Sequence, residues 1–206
     1  AGSGLGIFRD DATSRFAAPL EGAAVPEELR EQLADTRIIL IGKSRIPSTV
    51  HRGGRLDRVL VKEHDESGRL SGLSVVCGLF TFRALRTPGS QIPLLYERLE
   101  AILAEKHAAP QSHRLKAIVT AFDQTPAEFL LASHPDAAGR VVEDIIAAEG
   151  SDETQLILSV DPNRRSLYAA VAMPRYRYHD DQRGQVEAVL AQHFGPLHAD
   201  SRTSFV

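Results

Sequence analysis

Two apolar runs, Leu156 to Val160 and Ser166 to Met173, flank Asp161-Pro162-Asn163-Arg164-Arg165 and stop at Pro174. Runs this short, rich in β-branched and aliphatic residues and joined by a Pro-Asn turn, specify a hairpin. Pro174 has no N–H for a ladder, so the second strand ends there. Asp180 or Asp181 can then cap a helix whose Val186, Val189, Leu190 and Phe194 share one face at 3.6 spacing. Gly195-Pro196 stops that helix, and Leu197 to Val206 is long enough for a last strand. The order strand, strand, helix, strand is most of a ββαβ unit of the ferredoxin-like kind.

Upstream, residues 1–25 are Gly/Ala-rich and predict irregular structure, and Pro26-Glu27-Glu28 opens a short helix with Leu29 and Leu33 inward. Thr36 to Lys43 is a continuous apolar run, expected to be buried on both faces. Leu56 to Glu63 alternates, Asp65-Glu66-Ser67-Gly68 turns the chain, and Arg69 to Phe82 reads as a long strand with bends at Gly72 and Gly78. From Ile92 the period becomes helical. Leu95, Leu99, Ile102 and Leu103 mark one helix, ended by Ala108-Ala109-Pro110. Ser112 caps a second, with Leu115, Ile118, Val119 and Phe122 inward. Thr125-Pro126-Ala127-Glu128 reads as a capping box for a third, which holds Phe129 and Leu130. Val141, Val142, Ile145 and Ile146 mark a fourth, closed by Gly150.

Composition narrows the function classes. A net charge of −3 gives no electrostatic reason to expect nucleic acid as a partner. No run of about 18 apolar residues exists, so no membrane helix is expected. The single Cys77, expected to be an inert core residue, excludes an internal disulfide and fits a reducing, cytoplasmic setting. The eight histidines lack metal-ligand spacing, so no metal site is expected.

A family resemblance enters through the same hairpin. Asp161-Pro162, Arg165, Val171, Pro174-Arg175, Arg177-Tyr178 and the following helix resemble an ACT-type segment. Its home is the long non-catalytic N-terminal region of the large NAD-specific glutamate dehydrogenases of bacteria. The pattern departs at Asn163-Arg164, where the family usually has Phe-Gly, and at Tyr176, where an acid is usual. Ser48-Thr49-Val50-His51-Arg52, Val61-Lys62, Gly78-Leu79-Phe80-Thr81 and Gly4-Leu5-Gly6-Ile7 resemble motifs of the PAS-like part of the same enzymes. Ile92-Pro93-Leu94-Leu95 and Ser112-His113 extend the likeness.

Together these readings predict an α+β chain in three parts. A PAS-like antiparallel sheet, as a partial domain, spans 1–88. A helical connector spans 89–150, and an ACT-like ββαβ module spans 151–206. The resemblance implies a non-catalytic regulatory or assembly fragment of an NAD-dependent glutamate dehydrogenase. Its parent turns L-glutamate and NAD into 2-oxoglutarate and ammonia. NAD would belong to the parent, with no cofactor bound by this chain, since no dinucleotide fingerprint occurs in it. The implied partners are the remainder of the parent polypeptide, further copies in a homo-oligomer, and an amino-acid effector. The alternatives are a free-standing PAS/ACT-type small-molecule sensor and, more remotely, an enzyme using the His51 loop.

Two places could bind a ligand. Ser48, His51 and Arg52 lie in the most basic stretch, with Lys43, Arg45, Arg55 and Arg58 against Asp57. Guanidinium forks and backbone N–H groups there suit a phosphate or carboxylate. The competing reading is a solvated or salt-bridged loop. Arg175, Arg177 and Tyr178 lead into a helix N-terminus, where donors and dipole converge on a carboxylate. The resemblance implies an amino-acid ligand near this loop; the competing reading is that the loop pins hairpin to helix. No catalytic residues are assigned.

Overall fold

The computed structural model describes residues 4–8, 27–48, 54–161, 164, 166–195 and 201–204. Its larger sheet is antiparallel in the order β1-β2-β3, with β1 Ile39–Pro47, β2 Arg55–His64 and β3 Leu70–Gly78. Val59 pairs with Ile41 on one side and Val76 on the other; one step along, Arg58 lies between Gly42 and Cys77. The Asp65–Gly68 turn forms as expected: Asp65 Oδ1 accepts from the N–H groups of Ser67 and Arg69 at 2.9 and 3.0 Å, and Gly68 takes a positive φ of 78°. The third strand stops at Gly78, short of the expected Phe82. The chain instead enters a short helix, α2 (Phe82–Arg86), capped by the Thr81 hydroxyl.

Alternation along β1 and β2 gives the sheet two different faces. Leu40, Gly42, Ser44, Arg58, Leu60 and Lys62 are buried on one of them. There α1 (Glu27–Ala34) meets the sheet through Gln32, which accepts from Arg58, and Leu33, whose carbonyl accepts from Lys62. The other face carries Ile41 and Lys43 against the helices. The expectation that this first strand is buried on both sides holds only along its middle, since Ile38 and Ile39 at its start are exposed.

The helices that follow are α3 (Pro93–Glu105), α4 (His113–Gln124), α5 (Ala127–Ala132) and α6 (Pro135–Glu149). Their apolar faces meet in one core: Leu95, Leu99, Ile102, Ile118, Phe122, Leu130 and Val142 are all essentially solvent-free. Ser112 caps α4 as expected, its hydroxyl accepting from the Leu115 N–H at 3.1 Å. The expected capping box at Thr125 does not form. Thr125 precedes a proline, which holds it extended, and its hydroxyl turns back to donate to the Ala121 carbonyl at 2.8 Å. It therefore ends α4 instead of starting α5.

The hairpin forms from β4 (Gln155–Val160) and β5 (Leu167–Ala172), with Ile157 opposite Ala170 and Ser159 opposite Tyr168. One face meets the helices: Ile157 is buried, and the Tyr168 ring stacks on Phe129 of α5 at 4.4 Å between centroids. The other face is open, with Leu156, Leu158 and Val160 exposed by 56, 45 and 57%. Helix α7 (Gln182–Phe194) follows and closes at Gly195 in the left-handed conformation, φ 56°. The expected inward face of α7 is not buried: Val189 and Phe194 are each 54% exposed. Asp181 stands at its start without a side-chain cap bond. Residues 201–204 form no strand, and the rest of the expected last strand lies outside the described residues. The observed unit is thus ββα.

A tight test of the helical core is Gly89, buried in the 3-10 turn before α3. A methyl group on it would sit 2.7 Å from Phe122 Cε1 and 3.1 Å from Leu130 Cδ1, both fully buried side chains. Gly89→Ala should therefore cost about 1–3 kcal/mol, measured as a lower urea midpoint with an unchanged slope.

Candidate functional site

Pro174 ends β5, and the chain makes a 3-10 turn over Arg175–Arg177, closed by Arg177 N–H to the Pro174 carbonyl at 2.9 Å. Arg175 and Arg177 are exposed, and the Arg177 guanidinium lies 5.8 Å above the Tyr176 ring. The Tyr178 hydroxyl meets that of Thr203 at 3.3 Å. At the start of α7, Gln182 Oε1 accepts from the His179 N–H, and Asp181 Oδ2 accepts from the Gln185 amide.

In the β1–β2 connection, the Ser48 N–H donates to the Gly54 carbonyl at 2.7 Å, closing the loop neck. His51 and Arg52 lie outside the described residues. The other basic residues of this stretch separate. Arg45 and Arg55 are exposed, Arg58 is buried, and Lys43 bridges Asp57 at 2.7 Å and Glu128 of α5. Burial opposes the Lys43 charge, but the two carboxylates outweigh it and raise its pKa. The second Asp57 oxygen accepts the Phe80 N–H at 2.8 Å. Among the described residues, no three His, Cys, Asp or Glu side chains group as metal ligands.

The polar groups with the most built surroundings are cations the sequence reading did not single out. Lys62 reaches from β2 to the carbonyls of Leu33, at 3.0 Å, and Asp35, where α1 ends. An ammonium there faces the negative end of the helix dipole. Arg98 of α3, 8% exposed, donates to the carbonyls of Leu130, Ser133 (3.0 Å) and Leu131 (3.4 Å) at the end of α5. Burial, aided by the like charge of Arg37, brings its pKa down to about 10. Arg37 adds a bond to the Ser133 carbonyl at 3.1 Å and grips Asp35 at 2.6 Å. Lys62 closes an apolar strand run and belongs to the Val61-Lys62 motif, while nothing local in the sequence points Arg37 or Arg98 to their acceptors.

The four helices so braced run from Ile92, the N-cap of α3, to Gly150, the C-cap of α6. Residues 92–150 match the family model of glutamate dehydrogenase, helical motif 1. The chain is also 22% identical over 160 residues to an NAD-specific glutamate dehydrogenase of Pseudomonas aeruginosa, covering 78% of this chain and 10% of that protein. A second NAD-specific glutamate dehydrogenase, from Halomonas elongata, is 19% identical over 167 residues, covering 81% of this chain and 10% of its own. The resemblance read from scattered motifs is therefore to a real region of these enzymes. The chain spans about a tenth of the length of the curated relatives it matches.

Asp35 offers a pH test of the bracing at the base of the helical motif. Its hydrogen bonds from the Arg37 side chain outweigh partial burial and bring its pKa from 3.8 down to about 2. A depressed carboxyl stabilises the fold above its unfolded pKa and loses that contribution as pH falls through the folded value. The original chain should lose stability as pH drops from about 4 to 2, and Asp35→Asn should lack that component. Parallel acid melts of the two proteins measure the difference.

Proposed function

We propose that the chain is a non-catalytic regulatory or assembly segment of an NAD-dependent glutamate dehydrogenase. In this reading the parent oxidises L-glutamate with NAD to 2-oxoglutarate and ammonia. The observation that carries it is the coincidence of the matched helical motif, residues 92–150, with the best-packed part of the fold. The flanking parts support an assembly role. The open hairpin row Leu156, Leu158, Val160 and the exposed Val189 and Phe194 of α7 are apolar surfaces of the kind that interfaces cover. In the finer reading, the three-stranded sheet is the PAS-like part and the ββα unit the ACT-like part, and both dock on the remainder of the parent.

Two measurements on the purified chain test this. A glutamate-dependent NADH assay should show no turnover at any pH, and activity that survives repurification would overturn the non-catalytic reading. Light scattering should show self-association that Leu158→Asp weakens, because the substitution places a charge in the middle of the open row. A monomer at high concentration, unaffected by that change, would remove the support for an assembly face.

A further inference from the structure

A buried cation is tolerated only where acceptors or counter-charges replace the water it has lost. Among the described residues three cations are buried, and two of them meet that condition. Lys62 has the carbonyl end of α1, and Arg98 has three carbonyls of the α5 terminus. Arg58, four residues before Lys62 and on the same sheet face, does not. It is 7% exposed, and its guanidinium makes one hydrogen bond, from Nη2 to Gln32 Oε1 at 3.0 Å. Gln32 is a neutral amide. The Arg58 Nε–H is fully buried and has no acceptor.

Burial disfavours the Arg58 charge most, and the charges around it pull in both directions. Arg45 is close enough for its charge to disfavour that of Arg58, while Asp161 favours it without forming an ion pair with it. The Asp161 carboxylate is engaged by the Ser166 N–H and hydroxyl. In strand register, Arg58 lies between Gly42, which has no side chain, and Cys77, a half-buried thiol. Neither supplies a counter-ion.

We propose that Arg58, with Gln32 hydrogen-bonded to it, holds a small oxyanion, a carboxylate or a phosphate, on the sheet face beneath α1. A guanidinium offers two parallel N–H donors to such a group. The anion supplies the charge that the chain supplies at Lys62 through the end of a helix. This inference stands apart from the parent-enzyme reading, since it rests on the sheet and not on the helical motif.

The test compares thermal unfolding of the full chain in chloride, inorganic phosphate and acetate at one ionic strength. At roughly ten times its Kd the bound anion should raise the midpoint by about 3–5 °C over chloride. A rise in phosphate alone or acetate alone assigns the anion class, and either supports the site. Arg58→Met should melt in chloride no lower than the original, because it removes an uncompensated charge, and should show no anion-dependent rise. In parallel, the arginine Nε–H resonance missing from the Arg58→Met spectrum should shift saturably with the anion. If Arg58→Met fails to fold, Arg58→Lys makes that assignment. The inference is overturned if neither anion exceeds chloride, or if Arg58→Met keeps the rise.

Discussion

Helix α5 is only six residues long, too short to be stable by its own hydrogen bonds, yet both sheets and the helical core are tied to it. Its free carbonyls are taken by Arg98 from α3 and, at Ser133, by Arg37 from the segment before β1. Glu128 near its start holds Lys43 of β1, and Phe129 holds Tyr168 of β5. Leu130 and Leu131 fill the helical core. Ion pair, ring stack and apolar burial thus converge within four consecutive residues. An error in the placement of α5 would propagate to both sheets.

This junction bears on how the matched region is delimited. Residues 92–150 include α5 but not Arg37, Lys43 or Tyr168, which hold it from outside. The helical motif packs its own core, while its orientation relative to the sheets depends on side chains from the flanks. Lys43 shows the dependence most directly. Its ammonium satisfies a carboxylate of the sheet and one of the helix at once; if the two parts separate, Asp57 on the neighbouring strand keeps it and Glu128 loses it.

Much of this was legible in the sequence, for identifiable reasons. Helices α3, α4 and α6 repeat large apolar residues at 3.6 spacing, and each begins with a proline or a capping serine close by, so pattern and boundary agree. The hairpin was legible because its turn residues and Pro174 bound it on both sides. The rest failed where tertiary contacts overrode local signals. Thr125 looks like a cap, but the following proline turned it toward the helix it ends. Helix α7 has an apolar face in sequence, yet the described residues leave Val189 and Phe194 uncovered. For the sites, a string of basic residues read as one loop becomes a bridge at Lys43, exposed charges at Arg45 and Arg55, and a buried one at Arg58. A one-dimensional pattern of charge carries no information about which face of a strand it lands on. The helix-terminating roles of Lys62 and Arg98 are also non-local, since their acceptors lie about 30 residues away.

The stack of Tyr168 on Phe129 has a practical meaning as well. The chain has no tryptophan and four tyrosines, and Tyr96 and Tyr176 are exposed. Tyr168 is held face to face with the Phe129 ring, and burial raises the pKa of its phenol. Its near-ultraviolet signal and its resistance to base therefore describe one seam of the molecule, the one between hairpin and helices. The protein carries its own optical gauge of whether that seam is closed.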